Sequence, residues 1–140
     1  MIKLIVGEKG SGKTRVLIHD ANEAIKKAKG HIVYMDIDNS RMFQIDYKIR
    51  FMGTKEYGIL CEESFYGFIC GVIASNYDIE SIYIDNLTGI CACKLDQLET
   101  LFKKISQLEL KYNTSFIFTV NGTEDKLPDF LKGYMIQELQ

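Results

Sequence analysis

With 140 residues, 46% of them apolar and 26% charged, the chain has the composition of a globular domain rather than of a disordered or fibrous one. Its length fits a single domain over residues 1–140 that buries roughly two-thirds of its unfolded surface around one core. A formal net charge of −2 lacks the basic surplus expected of a general nucleic-acid binder, and no apolar run approaches the roughly eighteen residues of a membrane segment. Met1-Ile2-Lys3 lead straight into an apolar strand, without room for the regions of a signal peptide, so a cytoplasmic protein is expected.

Ile2 to Val6 form a short apolar run ending at Gly7, the pattern of a strand buried on both faces of a parallel sheet. The run feeds Gly7-Glu8-Lys9-Gly10-Ser11-Gly12-Lys13-Thr14, a complete G-x-x-x-x-G-K-[ST] stretch. A triphosphate needs several donors converging on one point, so the backbone must wrap with its N–H groups turned inward. Gly7, Gly10 and Gly12 permit that path and the close approach. A helix starting near Lys13 adds unpaired N–H groups and the positive end of its dipole. Lys13 brings a compact charge to the β- and γ-phosphates, and the Thr14 hydroxyl is the expected ligand of Mg²⁺. This is the Walker A signature, and the chain resembles the P-loop nucleoside-triphosphatases. The resemblance implies nucleotide contacts along Gly7, Glu8, Lys9, Gly10, Ser11, Gly12, Lys13, Thr14 and Arg15.

From Thr14 to about Lys29, Val16, Leu17, Ala21, Ala24, Ile25 and Ala28 recur at helical spacing. Gly30 closes that helix, with Lys26, Lys27 and Lys29 in a last turn where positive charge suits the dipole. His31 to Ile37 read as the second strand, ending in Asp36 and Asp38, with Asn39 and Ser40 turning the chain away. In RecA-like ATPases the strand after the P-loop helix ends in an acidic run carrying the residue that activates the attacking water. By position the resemblance makes Asp38 the candidate and Asp36 the reserve, against the plainer reading of a solvated acidic strand end.

Between Asn39 and Ile59, Phe43, Ile45, Tyr47, Ile49 and Phe51 alternate with polar residues. They suit either a half-buried strand or a short helix followed by a strand from about Lys48 to Met52. Arg41 and Arg50 lie here, two of three arginines in the chain. Each is either a surface residue or one able to reach a neighbour's γ-phosphate. Glu62 to about Asn76 form a helix with Phe65, Phe68, Ile69, Val72 and Ile73 on its core face. Cys61, Cys70, Cys91 and Cys93 lack the C-x-x-C spacing of a zinc site, so reduced structural thiols are expected.

Ile79-Glu80-Ser81-Ile82-Tyr83-Ile84-Asp85 is an apolar strand ending in aspartate. Behind a complete Walker A it reads as Walker B, with Asp85 holding Mg²⁺. Many relatives of the additional-strand class place a catalytic glutamate next, where this chain has Asn86. An amide orients water but does not accept its proton at neutral pH. Leu87 to Cys93 have no assigned form. A helix follows over Lys94 to Tyr112, carrying Leu95, Leu98, Leu101, Phe102, Ile105 and Leu108 on its core face. Ser115 to Val120 make another strand, ending in Asn121, which either resembles the γ-phosphate-sensing sensor 1 or is a turn residue before Gly122. A polar loop over Thr123 to Asp129, a short helical piece and a last strand from Tyr134 to about Leu139 complete the chain.

This order predicts an α/β fold with a doubly wound, mainly parallel sheet and helices on both faces. It resembles the additional-strand branch that includes RecA-like ATPases, which implies strand order 5-1-4-3-2. Among these it is similar to the compact bacterial ATP-binding proteins sometimes labelled twitching-motility PilT-like. The pilus motor's extra domain and histidine motif are not evident. The implied activity is Mg²⁺-dependent ATP binding with slow or partner-stimulated hydrolysis. Lys13, Asp38 and Asn121 are the catalytic candidates, Thr14 and Asp85 the metal ligands, and a protein partner or second copy could supply missing groups. The alternatives are a nucleotide-dependent switch that barely turns ATP over, or a small-molecule kinase, for which three arginines are few.

Overall fold

Six strands form one all-parallel sheet: β1 (Ile2–Gly7), β2 (His31–Asp36), β3 (Arg50–Gly53), β4 (Ile79–Ile84), β5 (Ser115–Asn121) and β6 (Met135–Leu139). Their order is β3-β2-β4-β5-β1-β6. These are the coordinates of a computed structural model that describes residues 1–140. The helices are α1 (Lys13–Ile25), α2 (Glu62–Ser75), α3 (Leu87–Cys91), α4 (Glu99–Tyr112) and α5 (Asp129–Lys132). None is long and apolar enough to cross a membrane.

Strand alternation divides the core into two layers. Leu4 and Val6, Val33 and Met35, Ile82 and Ile84, and Phe116 and Phe118 face one side, where α2, α3 and α4 add Phe65, Ile69, Leu87, Phe102 and Ile105 to a cluster of 26 buried residues. Ile5, Ile32, Tyr34, Tyr83 and Ile117 face the other side, where α1 brings Leu17, Ile18 and Ala21 to a cluster of 10. Helices therefore cover both faces, as a parallel sheet with two apolar surfaces requires.

Three segments refine the sequence expectation, the first two through contacts distant in sequence. First, α1 ends at Ile25, so Lys26, Lys27 and Lys29 lie beyond its last turn. The Glu80 carboxylate accepts the backbone N–H groups of Lys29 (2.9 Å) and Gly30 (2.6 Å) and draws the chain out of the helix. A side chain at Gly30 would collide with the Asp78 carbonyl. Second, residues 42–44 form a single 3-10 turn and β3 follows at Arg50, so the helix-then-strand alternative holds. Ile45 and Ile49 are buried, whereas Phe43 and Tyr47 are 93% and 89% exposed. The Asn22 side chain fixes this path by donating to the Gln44 carbonyl and accepting from the Asp46 N–H, both at 2.9 Å. Third, the helix expected from Lys94 begins as a 3-10 turn over Leu95–Gln97 and becomes α-helical at Glu99.

The connection after β4, unassigned from sequence, is α3. Asn86 adopts a left-handed conformation (φ 58°) and its side chain accepts from the Gly89 N–H at 3.3 Å, capping the helix. Because every strand runs the same way, Gly7, Asp36, Asp85 and Asn121 all reach the same, carboxyl-terminal edge of the sheet. In open α/β sheets that edge is where ligand crevices form.

Candidate functional site

The loop after β1 is built for close approach. Gly10 (φ 84°) and Gly12 (φ 97°) occupy the left-handed region, with open space where a Cβ would project. A Cβ on Gly7 would collide with the Ser11 hydroxyl. The Ser11 N–H donates to the Glu8 carbonyl at 3.1 Å, closing the turn. Gly12 leads into α1, whose N-terminus has neither a side-chain cap nor an acidic residue in its first turn. Its first N–H groups are thus left for an outside acceptor.

Lys13 is 8% exposed, and its Nζ donates to the Glu8 carbonyl at 3.0 Å, so the ammonium lies across the mouth of the loop. Burial lowers its pKa, with the Asp85 carboxylate acting in the opposite sense. The Ser11 Oγ is buried without a hydrogen-bond partner. A cavity of about 350 Å³ opens over these groups; Gly10, Gly12, Lys13, Thr14 and Arg15 line one side, and Arg41 and Gln44 another. An uncapped helix start and a desolvated ammonium lining one cavity suit a multiply charged anion. Glu8 and Lys9 are exposed on the outside of the turn.

Asp85 is 3% exposed and held on all sides. The Thr14 Oγ1 donates to its Oδ2 at 2.8 Å, across seventy-one residues of sequence. The Thr119 Oγ1 donates to its Oδ1 at 2.5 Å, and Thr119 in turn accepts from the Asn86 N–H at 2.8 Å. The Asp85 N–H donates to the Met35 carbonyl at 2.9 Å, tying the end of β4 to β2. Sequence reasoning missed Thr119; its signal was a hydroxyl inside an otherwise apolar strand, fully buried in the fold. Thr119→Val is expected to lower stability by about 1–3 kcal/mol, because Asp85 and the Asn86 N–H each lose a partner while remaining enclosed. Chemical denaturation compared with wild type measures this.

Thr14 and Asp85 present a hydroxyl and a carboxylate side by side, both hard oxygen ligands. No cluster of three or more His, Cys, Asp or Glu side chains accompanies them. This donor set fits Mg²⁺, which binds through one or two protein oxygens and completes its octahedron with water and phosphate.

Of the two aspartates ending the second strand, Asp36 faces inward and Asp38 outward. Asp36 is 2% exposed; its Oδ1 accepts from the Ile37 N–H at 2.7 Å, and its Oδ2 has no hydrogen bond. The nearest cation is Arg41, with Nη1 3.9 Å from Oδ2. Burial, reinforced by the Asp85 charge, pushes the Asp36 carboxyl up to about 6. The buried Tyr34 hydroxyl is unpartnered, and its pKa is raised by burial and by the charges of Asp85 and Asp36. Asp38 is exposed, and its Oδ1 accepts from the Ser40 N–H (3.0 Å) and hydroxyl (2.7 Å), which lowers its pKa. It caps a surface turn.

Asn121 is exposed beside Gly7, its register partner. Arg41 lines the cavity, whereas Arg50 lines a separate groove with His31 and Asn76. Compared with protein-family models and with curated proteins, the chain matches none.

Proposed function

We propose that the chain binds Mg-ATP in this cavity and hydrolyses it slowly by itself, or faster when a partner supplies further catalytic groups. The observation that carries the reading is the 2.8 Å hydrogen bond from Thr14 to Asp85, which joins the end of the glycine loop to the acidic end of an apolar strand. A P-loop site needs those two side chains together. Further support comes from the sheet: it has a sixth strand, β3, at one edge where the resemblance implied five, and the remaining order β6-β1-β5-β4-β2 is compatible with the implied 5-1-4-3-2.

Phosphoryl transfer asks a protein mainly for positioning and charge stabilisation. Lys13 and the amides of residues 10–14 hold the β- and γ-phosphates, Thr14 and Asp85 would hold the metal, and Arg15 flanks the phosphate chain. Mg²⁺, when bound, neutralises charge on the phosphate oxygens. Asp36 accepts the proton of the attacking water, because it ends the strand beside the one that leads to Asp85 and keeps one carboxylate oxygen without a hydrogen bond. Asn121, at the rim beside Gly7, orients that water by its amide. Asp38, tied to Ser40, keeps the acidic turn in place.

The test is phosphate release from saturating Mg-ATP, with binding verified in the same sample. Turnover on the order of 10⁻⁴ to 10⁻² per second is expected, the range of P-loop enzymes acting without an assisting partner. Absence of Mg-ATP binding at millimolar concentration would reject the proposal.

One observation favours a second reading, a switch that binds ATP without turning it over. Asn86, where related ATPases carry a glutamate, is committed to capping α3 and contributes no base. For a switch, Mg-ATP changes the protease sensitivity of the exposed segment 38–44 while no phosphate is released.

A further inference from the structure

We propose that Arg41 is the side chain that reads the terminal phosphate, paired with Asp36 in the nucleotide-free protein and transferred to the phosphate when a triphosphate binds. This rests on the Mg-ATP reading of the cavity and adds a residue that the sequence motifs do not contain.

The local fold aims Arg41 inward. After β2, the Asp38 carboxylate takes both the N–H and the hydroxyl of Ser40, and the Met42 N–H donates to the Asn39 carbonyl at 3.1 Å, so the chain reverses within a few residues. The Gln44 N–H donates to the Arg41 carbonyl at 3.0 Å, and Asn22 of α1 pins the far side of the turn at Gln44 and Asp46. Anchored at both ends, this segment turns Phe43 to solvent, while Arg41 and Gln44 line the cavity opposite the glycine loop.

The guanidinium is available. Its contact with Asp36 is 3.9 Å, too long for a hydrogen bond, and the side chain is 47% exposed. Five N–H donors in a planar fork therefore face a cavity that holds no stronger protein acceptor for them. A phosphate offers more charge than one carboxylate and can accept two parallel N–H bonds, so it outcompetes Asp36.

Position selects the terminal phosphate. Arg41 sits beside Asp36, the Asp85 N–H donates to the carbonyl of Met35, the residue before Asp36, and the Asp85 carboxylate is bonded to Thr14. Thr14 and Arg41 both line the cavity, so with Thr14 and Asp85 at the metal position the terminal phosphate beside them is the one Arg41 meets. A diphosphate leaves Arg41 with Asp36; a triphosphate draws it across. Arg50, at the start of β3 and lining a different groove, serves as the internal comparison.

The experiment is calorimetric titration of the full chain with Mg-ATP and with Mg-ADP, for wild type, Arg41→Ala, Arg50→Ala and Lys13→Ala. Arg41→Ala is expected to weaken Mg-ATP binding by about 10- to 100-fold, the value of a charge-assisted hydrogen bond pair. Mg-ADP binding should change by less than about 3-fold, since the same contact is absent there. Arg50→Ala should change neither. A ratio of ATP to ADP affinity in Arg41→Ala equal to that of wild type overturns the assignment, even when Lys13→Ala abolishes binding of both nucleotides. Failure of wild type to bind either nucleotide removes the cavity reading and this inference together. If the alanine variant fails to fold, Arg41→Gln, which keeps a polar side chain but loses the charge and the reach of the guanidinium, carries the same comparison with the same deciding ratio.

Discussion

Lys13→Ala is expected to weaken Mg-ATP binding by at least about 100-fold and to bring phosphate release to background, because a desolvated ammonium facing a triphosphate acts in a medium far less screening than water. The effect on the nucleotide-free protein is much smaller, about 1 kcal/mol. There the ammonium makes one hydrogen bond, to the Glu8 carbonyl at 3.0 Å. Burial opposes its charged form, and attraction to Asp85 offsets only part of that cost. Asp85 keeps both hydroxyl donors in the variant, so the site does not collapse. Calorimetry and phosphate release on the same preparation, with a melting curve as the control for folding, check all three expectations. Unchanged Mg-ATP affinity in a folded Lys13→Ala protein would place any nucleotide elsewhere on the surface.

The parts of this site that were legible in the sequence are those whose physics is local. A glycine loop between an apolar run and an amphipathic helix is one continuous stretch, and the left-handed conformations at Gly10 and Gly12 are what the spacing of its glycines allows. Likewise the strand ending in Asp85 announces itself by its apolar run. The parts that were not legible depend on partners distant in the chain. Alternation over Phe43 to Phe51 treats Phe43 and Ile45 alike, yet Asn22, more than twenty residues upstream, pins the turn so that Ile45 enters the core and Phe43 does not. The end of α1 depends on Glu80, fifty residues downstream. Thr119 stood out as polar, but the carboxylate that gives it a purpose is thirty-four residues away. For Asp36 and Asp38, the sequence ranks two carboxylates by position; which one turns inward depends on where β2 ends, and β2 ends at Asp36.

That inward carboxylate yields the second large expected effect, in stability against pH. Asp36 titrates near 3.8 when unfolded and near 6 in the fold. Between those values the folded state holds more protons than the unfolded one, so Asp36 makes stability fall as pH rises through the window. Above about pH 6 the full cost of its charge stands, about 3 kcal/mol for roughly two pKa units. Asp36→Asn removes the titration and keeps an oxygen for the Ile37 N–H. Its amide leaves a donor unpaired and faces Arg41, a cost that does not vary with pH. The difference in stability between variant and wild type should therefore shift in the variant's favour by about 2.4 kcal/mol from pH 4 to pH 7. Urea denaturation across that range measures it; the charges facing Asp36, from Asp85, Asp38 and Arg41, are common to both proteins. A flat difference would mean that Asp36 is ionised as an ordinary carboxylate. The same variant addresses the chemistry, because a carboxyl titrating near neutrality is matched to taking a proton from water. If Asp36 is the base, Asp36→Asn binds Mg-ATP and loses about 100-fold or more of its phosphate release. If turnover persists, the proton leaves by another route and the burial of Asp36 serves to hold Arg41 in waiting.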